Sequence, residues 1–372
     1  MGERILAINP GSTSTKIALF DGADGALHEL FSVKAAHTSE ELTQFPTIQS
    51  QLQFRTRVVE ETLTAQGFAL SDIDAFVGRG GGLMPLVGGT YAVNALLLDH
   101  ASRGMNGTHP AQLAAQICDN YAKRYGKRAF VVDPPNTDEF DEVARPTGLR
   151  GVYRESSVHA LNQKEVARRY CAAHGLRYED ANFVVAHIGG GVSVTAHRRG
   201  RMVDSNDTLR GSGPMSPTRA GDLPYIDVIE LAYSGEYSKT RLVDRLNRRG
   251  GFTDIFGTSD MREIEALAET GDRRAVLYRN AMIHQLAKYA GAMAAVLNGE
   301  VDAVILTGGV TRWTDFAERL AARVRWIAEV AVVAGEFEME ALAAGALRVL
   351  RGEEKAREYT GEAVWGQLTV NN

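Results

Sequence analysis

Apolar and polar positions repeat in one order at two places in the chain: an apolar strand, a turn of tiny residues, then an immediate return strand. The first copy is ILAINPGSTSTKIALF, from Ile5 to Phe20, and the second is FVVAHIGGGVSVTA, from Phe183 to Ala196. After the first hairpin, Asp21-Gly22 and Asp24-Gly25 are turn signals, and Ala26 to Val33 alternates as a third antiparallel strand. The second copy does the same, with a turn at Arg199-Gly200 followed by RMVDS. Later, SDIDAFVGRGG (Ser71 to Gly81) and GEVDAVILTGG (Gly299 to Gly309) each set an apolar strand before a glycine pair. The stretch Asp272 to Asn298 precedes the second of these, and its apolar positions recur at the helical period. A meander, a helix and a strand ending in Gly-Gly, present twice, predict two related α/β domains.

Between the halves, Ala129 to Asp133 reads as a buried strand that Pro134-Pro135 ends, and Ala160 to Ala173 reads as a helix leading into the second half. A last helix is expected over Glu340 to Leu350, with Arg351 in its final turn and Gly352 as its stop. Domain boundaries are placed at 1–155, with 345–372 packing back on it, and at 156–344.

Composition narrows the partners. The chain has 372 residues, too many for one ordinary core, which agrees with the duplication. Its 41 basic and 46 acidic residues are mixed without a basic block, so nucleic acid and anionic membrane are not expected as partners, and a small molecule is. Cys118 and Cys171 stand alone within helical patterns, which suggests neither a disulfide framework nor a thiolate metal cluster. With no apolar leader before the first strand, a cytoplasmic protein is expected.

The turns carry the candidate chemistry. GSTSTK lacks the second glycine of a phosphate loop and runs into a strand rather than a helix, so phosphate contacts would come from a hairpin turn, with Asn9, Ser12 and Ser14 adding side-chain groups. An ordinary polar hairpin loop is the alternative. HIGGG places Gly189, Gly190 and Gly191 after His187, and three glycines inside a β pattern imply a close approach to the backbone that one β-bulge does not explain. Gly308-Gly309 is a weaker sign of the same kind. Arg79 and Arg219 lie among small residues and turn formers, where a guanidinium suits a carboxylate or a phosphoryl group. Asp133 ends a buried strand, where α/β proteins place ligand-facing groups, and His159 opens a helix.

Taken together, INPGSTSTK, HALNQKEVARRY, AHIGGG, GAMAAVL, LTGGV and EMEALAAGALRVLRGEE resemble the acetate and butyrate kinase family over almost the whole length, and the butyrate kinases more closely. The resemblance implies the sugar kinase, heat-shock chaperone and actin superfamily: two duplicated ribonuclease H-like domains with an interdomain nucleotide cleft. It further implies ATP/ADP and Mg2+, a short-chain carboxylate as substrate, and a homodimer or larger homo-oligomer. Carried residue by residue, it makes Arg79, Asp133, His159 and Arg219 catalytic. Asn9, Ser12, Ser14, His187, Gly189, Gly190, Gly191, Gly308 and Gly309 become nucleotide- or phosphate-binding. Asn9 and Glu338 become metal-linked, with Glu340 as the alternative to Glu338.

Departures from the acetate kinase pattern bear on the acid. Gly190 replaces an asparagine, Gly80 to Gly82 follow Arg79, and Val158 stands where acetate kinases carry phenylalanine before His159. Lost side-chain volume near an acyl pocket leaves room for a longer acid, each buried methylene contributing about 0.8 kcal/mol. SRGMNGTHP after His100 and LRGSGPMSPTRAG after Thr208 also differ from the usual butyrate kinase pattern. The expected reaction is direct in-line transfer from ATP to a short acid. An ATP-driven conformational switch and a sugar kinase, for which Asp133 would be the base, are the alternatives.

Overall fold

The computed structural model describes residues 2–365, so the last part of the expected 345–372 segment lies outside the described residues. The chain divides into two compact units, Met1–Asp138 with Phe337–Asn372, and Glu139–Glu336. The divisions fall after Asp138 and Glu336, where the sequence reading put 155 and 344. At Glu139 the chain is already anchored in the second unit. Its carboxylate pairs with the buried Lys164 ammonium at 2.8 Å and accepts from the Met202 amide at 2.9 Å.

The first unit is a six-stranded sheet. Its strands are β1 (Arg4–Pro10), β2 (Ser14–Asp21), β3 (His28–Ala36), β4 (Ala75–Gly78), β5 (Thr90–Ala92) and β6 (Arg128–Val132), in the order β3-β2-β1-β4-β6-β5. The meander β1-β2-β3 is antiparallel, β1, β4 and β6 are parallel, and β5 closes the edge antiparallel to β6. Helix Leu52–Ala65 lies between β3 and β4, and helix Leu113–Tyr125 between β5 and β6. The core packs Leu6, Ile8, Ile17 and Leu19 of the hairpin against Val59, Leu63, Phe76 and Ile117.

The second unit repeats the plan. Strands β7 (Asn182–Ile188), β8 (Val192–Arg198), β9 (Arg201–Ser205), β10 (Ala303–Gly308) and β11 (Glu329–Ala334) are ordered β11-β10-β7-β8-β9, again an antiparallel meander continued by parallel strands. Helix Arg273–Val296 precedes β10 and helix Thr314–Val324 precedes β11. Both hairpins, the paired Gly-Gly strands, the strand near Ala129 and the helix from Ala160 are therefore present as expected, to within a few residues. The third strand starts two residues later than expected, at His28, and ends three later, at Ala36, because its pairing with β2 continues to Ser14.

In the second unit helix Ala160–His174 lies on β7 and β10, and in the first unit helix Glu338–Leu350 lies on β1, β4 and β6. The latter approaches β6 so closely that a Cβ at Gly345 would lie 2.7 Å from both methyls of Val132. That contact holds the helix close against β6. The expected helix began at Glu340; it begins at Glu338.

Candidate functional site

In the first unit the candidates gather at the carboxyl ends of β1, β4 and β6. The turn between β1 and β2 closes through the Gly11 amide to the Ser14 carbonyl at 2.7 Å, leaving Ser12 exposed and Ser14 buried. Asn9, the penultimate residue of β1, donates from Nδ2 to Glu338 Oε2 at 2.9 Å. A carboxylate only accepts, so the amide is oriented, and the opposite Oδ1 is buried without a hydrogen-bond partner. Arg79, just past β4, holds its guanidinium 3.5 Å from Glu338 Oε1. Glu338 thus stands between an amide and a guanidinium, in the first turn of its helix where negative charge suits the dipole.

Asp133 takes a left-handed backbone, φ 37°, at the end of β6, and its Oδ1 accepts from the Gly89 amide at 2.7 Å. A non-glycine residue held there is strained, and such strain gathers at functional sites.

Two groups missed in the sequence complete this cluster. Arg55 is fully buried in helix Leu52–Ala65, donates to the Ser14 carbonyl and to Thr15 Oγ1 at 3.0 Å each, and so pins the start of β2. Burial brings its pKa down to about 10, which leaves it charged at neutral pH. The signal was an arginine in register with Val59 and Leu63 on the inward stripe of the helix. His109, from the unusual SRGMNGTHP segment, is the other. Burial, with Arg79 and Arg55 adding to it against Glu338, pushes its pKa down to about 4, so the ring is neutral.

The glycines after Arg79 correct one expectation. Gly80 adopts φ 70°, and a Cβ there would meet Val131 Cγ1 at 2.5 Å; at Gly82, φ 68°, it would meet Gly104 Cα at 3.0 Å. At Gly80 the Val131 side chain and at Gly82 the Gly104 backbone fill the space a Cβ would take, and both positions have a left-handed backbone, so the missing side chains at these two glycines do not open an acyl pocket. Val158 likewise packs with Ala160 and Met202 in a small core of its own.

In the second unit the glycine turn is the centre. The Gly189 amide donates to the Gly191 carbonyl at 3.0 Å, and the Ser216 and Thr218 hydroxyls donate to the Gly190 carbonyl at 2.7 and 2.8 Å. Those hydroxyls belong to a tight turn, Ser216 to Arg219, with Pro217 at its second position. The turn delivers Arg219 onto Gly191, where a Cβ would lie 2.1 Å from Arg219 Nη1. Nη1 is buried without a hydrogen-bond partner, and burial lowers the guanidinium pKa, with Asp207 opposing. A guanidinium with one nitrogen buried and unpaired beside a bare backbone turn is a place for an anion.

His187 ends near the same turn, its Nε2 4.0 Å from Glu336 Oε1, and its ring stacks on His159 with centroids 3.9 Å apart. Gly308, φ 98°, could not carry a side chain, since a Cβ would lie 2.4 Å from the Ile188 carbonyl oxygen. Gly309 has open space around it and, with Gly189, Gly190, Trp313 and Arg312, lines a cavity of about 610 Å³. That volume is of small-ligand size. His159, His187, Arg219 and both glycine sets are thereby brought together in the second unit, while Asn9, Ser12, Ser14, Arg79, Asp133 and Glu338 belong to the first.

Among the described residues no group of three or more His, Cys, Asp or Glu side chains could hold a metal, and no helix is long and apolar enough to cross a membrane. Cys118 and Cys171 are buried free thiols.

The acetokinase family model matches residues 149–332. A curated protein of Clostridium botulinum (strain Alaska E43 / Type E3), named probable butyrate kinase, is 43% identical over 96% of this chain and 100% of its own length. Among solved structures, the acetate kinase of Porphyromonas gingivalis superposes with a TM-score of 0.75 at 20% identity, covering 94% of this chain and 100% of that one. A propionate kinase from Francisella tularensis subsp. tularensis superposes with a TM-score of 0.70 at 18% identity, over 91% of this chain and 98% of that one.

Proposed function

The chain belongs to the acetokinase family, and on that premise we propose that it is a short-chain carboxylate kinase, which moves the γ-phosphoryl of ATP reversibly to butyrate or a similar short or branched acid. The observation in the geometry that carries this reading is Arg219 Nη1, a buried guanidinium nitrogen without a hydrogen-bond partner set against a side-chain-free turn. The near full-length likeness to a probable butyrate kinase supports the acid class over a sugar kinase or a chaperone-like switch.

A carboxylic acid with pKa about 4 to 5 is already ionised at neutral pH, so no general base is required. The difficulty is bringing two anions together. Arg79 and Arg219 serve to offset that repulsion on the carboxylate and on the equatorial phosphoryl oxygens, with His159 as a further donor. The turn glycines Gly189 to Gly191 and Gly308-Gly309 admit the nucleotide, and Ser12, Ser14 and His187 flank its phosphates. Asp133, tied to Gly89, is an organiser of its surroundings rather than a base. Transfer is direct and in line.

Magnesium fits the first unit. It takes oxygen ligands and few protein carboxylates, and Asn9 Oδ1, buried without a partner, lies on the amide that holds Glu338. When bound it would neutralise phosphate charge; Asn9 and Glu338 would hold it, in part through water. Glu338, in the first turn of its helix, is bonded directly to the Asn9 amide. Glu338→Gln is therefore expected to raise the half-saturating Mg2+ concentration about tenfold, and Glu340→Gln to leave it nearly unchanged, in magnesium titrations of acyl phosphate formation. Equal shifts in both variants would remove Glu338 from this role. A cytoplasmic homodimer or larger homo-oligomer completes the proposal, the location supported by the two buried free thiols.

The test is a hydroxamate assay with Mg-ATP and a panel of acetate, propionate, butyrate and isobutyrate, beside glucose and glycerol. Acyl hydroxamate is expected with the four-carbon acids; none with any acid sinks the reading.

A further inference from the structure

Behind His159 runs a chain of buried polar groups that the reaction above does not use. Gln163 Nε2 donates to the Ser193 carbonyl oxygen at 3.2 Å, and a carbonyl can only accept, so the amide orientation is fixed. Gln163 Oε1 is then the atom 2.9 Å from His197 Nε2. An amide oxygen also only accepts; His197 Nε2 therefore carries a hydrogen. In the neutral ring its Nδ1 accepts from the Tyr178 hydroxyl at 2.7 Å. His197 is fully buried, and that burial, with Lys164 and Arg168 adding to it, pushes its pKa well below the ordinary range.

The Gln163 amide so oriented, and held from behind by His197, also sets the Ser193 hydroxyl. The hydroxyl oxygen receives Gln163 Nε2 at 2.6 Å and the His159 backbone amide at 3.4 Å, which occupies both lone pairs. The hydroxyl hydrogen is left for His159 Nδ1, at 2.8 Å. Nδ1 thus accepts, and the hydrogen of the neutral His159 ring resides on Nε2.

The stacked partner follows the same rule independently. Thr307 Oγ1 gives its hydrogen to the Gly335 carbonyl at 3.1 Å and so accepts from Asn162 Nδ2 at 3.3 Å. The same nitrogen donates to His187 Nδ1 at 2.9 Å, which puts the His187 hydrogen on Nε2 as well. Two parallel rings 3.9 Å apart disfavour being charged together.

We propose that Ser193, Gln163 and His197 are positioning residues that hold His159 as a neutral hydrogen-bond donor through Nε2, a role that rests on the phosphoryl-transfer reading above. His159 then contributes a directed N–H and not a full charge, and the two arginines supply the charge. The sequence interval hides the relay: His159 and Ser193 are 34 residues apart, and so are Gln163 and His197.

The experiment is a long-range proton–nitrogen correlation spectrum of the full chain labelled with [15N]histidine, His159→Asn serving to assign the ring, with kcat and KM measured alongside. The wild type is expected to show His159 protonated at Nε2 only. Gln163→Glu sets an oxygen that can only accept against Ser193 Oγ, so the hydroxyl turns to it and His159 Nδ1 becomes the donor. The inverted tautomer is expected, with kcat lower by about a hundredfold and the nucleotide KM nearly unchanged. Should that variant fail to fold, Ser193→Ala decides: a ring with averaged nitrogen shifts and a similar loss of kcat supports the relay, and wild-type shifts with wild-type kcat overturn it. His159 protonated at Nδ1 in the wild type, or an inverted ring with full kcat, also overturns it. A wild type that makes no acyl phosphate yet shows the Nε2 tautomer would instead refute the kinase reading and leave the ring assignment standing.

Discussion

Replacing Arg79 by alanine is expected to lower kcat for acyl phosphate formation by about 10³, while ADP affinity stays within about twofold of wild type. The split follows from placement. Arg79 lies in the first unit beside Glu338, whereas the cavity lined by Gly189, Gly190 and Gly309 belongs to the second. A guanidinium that offsets charge on the reacting groups acts where anions meet, not where the nucleoside sits. Arg79→Ala also removes a partner from Glu338, whose side chain is only 13% exposed, so part of any loss could come through that carboxylate. Arg79→Lys separates the two effects. It retains a cation near Glu338 but not the planar fork, and a loss of about 10² in kcat is expected to remain. Steady-state kinetics with calorimetric ADP binding decides the matter. Parallel loss of both quantities in Arg79→Ala would make the residue structural.

How much of this was readable beforehand depended on whether a signal was local. The two meanders showed because each alternates in period two around a turn of small residues, and the long helix Arg273–Val296 showed because its buried positions recur along one stripe. β5 escaped notice because three residues, Thr90–Ala92, are too few for a pattern. β11 escaped because it pairs only with β10 at the edge of its sheet and leaves half its residues exposed. Glu338 fell outside the expected helix, which in fact starts two residues earlier than Glu340. The polar groups behind the site were least legible. Arg55, Ser193, Gln163 and His197 sit at positions whose meaning depends on partners from distant segments, and in sequence they read only as interruptions of apolar faces.

The glycine turn yields the sharpest contrast in the second unit. Gly190 and Gly191 are neighbours of the same type, but a Cβ added at Gly190 meets nothing within 4 Å, while one at Gly191 would lie 2.1 Å from Arg219 Nη1. Neither has the positive φ that would strain an alanine backbone, so the two substitutions differ in what the added methyl meets. At Gly191 the obstacle is the far end of a side chain, which can yield. The fold should therefore survive, and the loss should fall on Arg219, whose guanidinium is pushed off the turn. Gly191→Ala is accordingly expected to keep a melting temperature near wild type and to lose about 10² to 10³ in kcat, the range for removing one group that stabilises transition-state charge. Gly190→Ala is expected to leave Arg219 in place, so that its loss falls on the nucleotide KM more than on kcat. Combining Gly191→Ala with Arg219→Ala makes the attribution testable through a double-mutant cycle. If Arg219 is the target, the double variant is no slower than Arg219→Ala alone, because the methyl has nothing further to displace. Multiplying losses would mean that Gly191 acts on the nucleotide directly and that its contact with Arg219 is incidental.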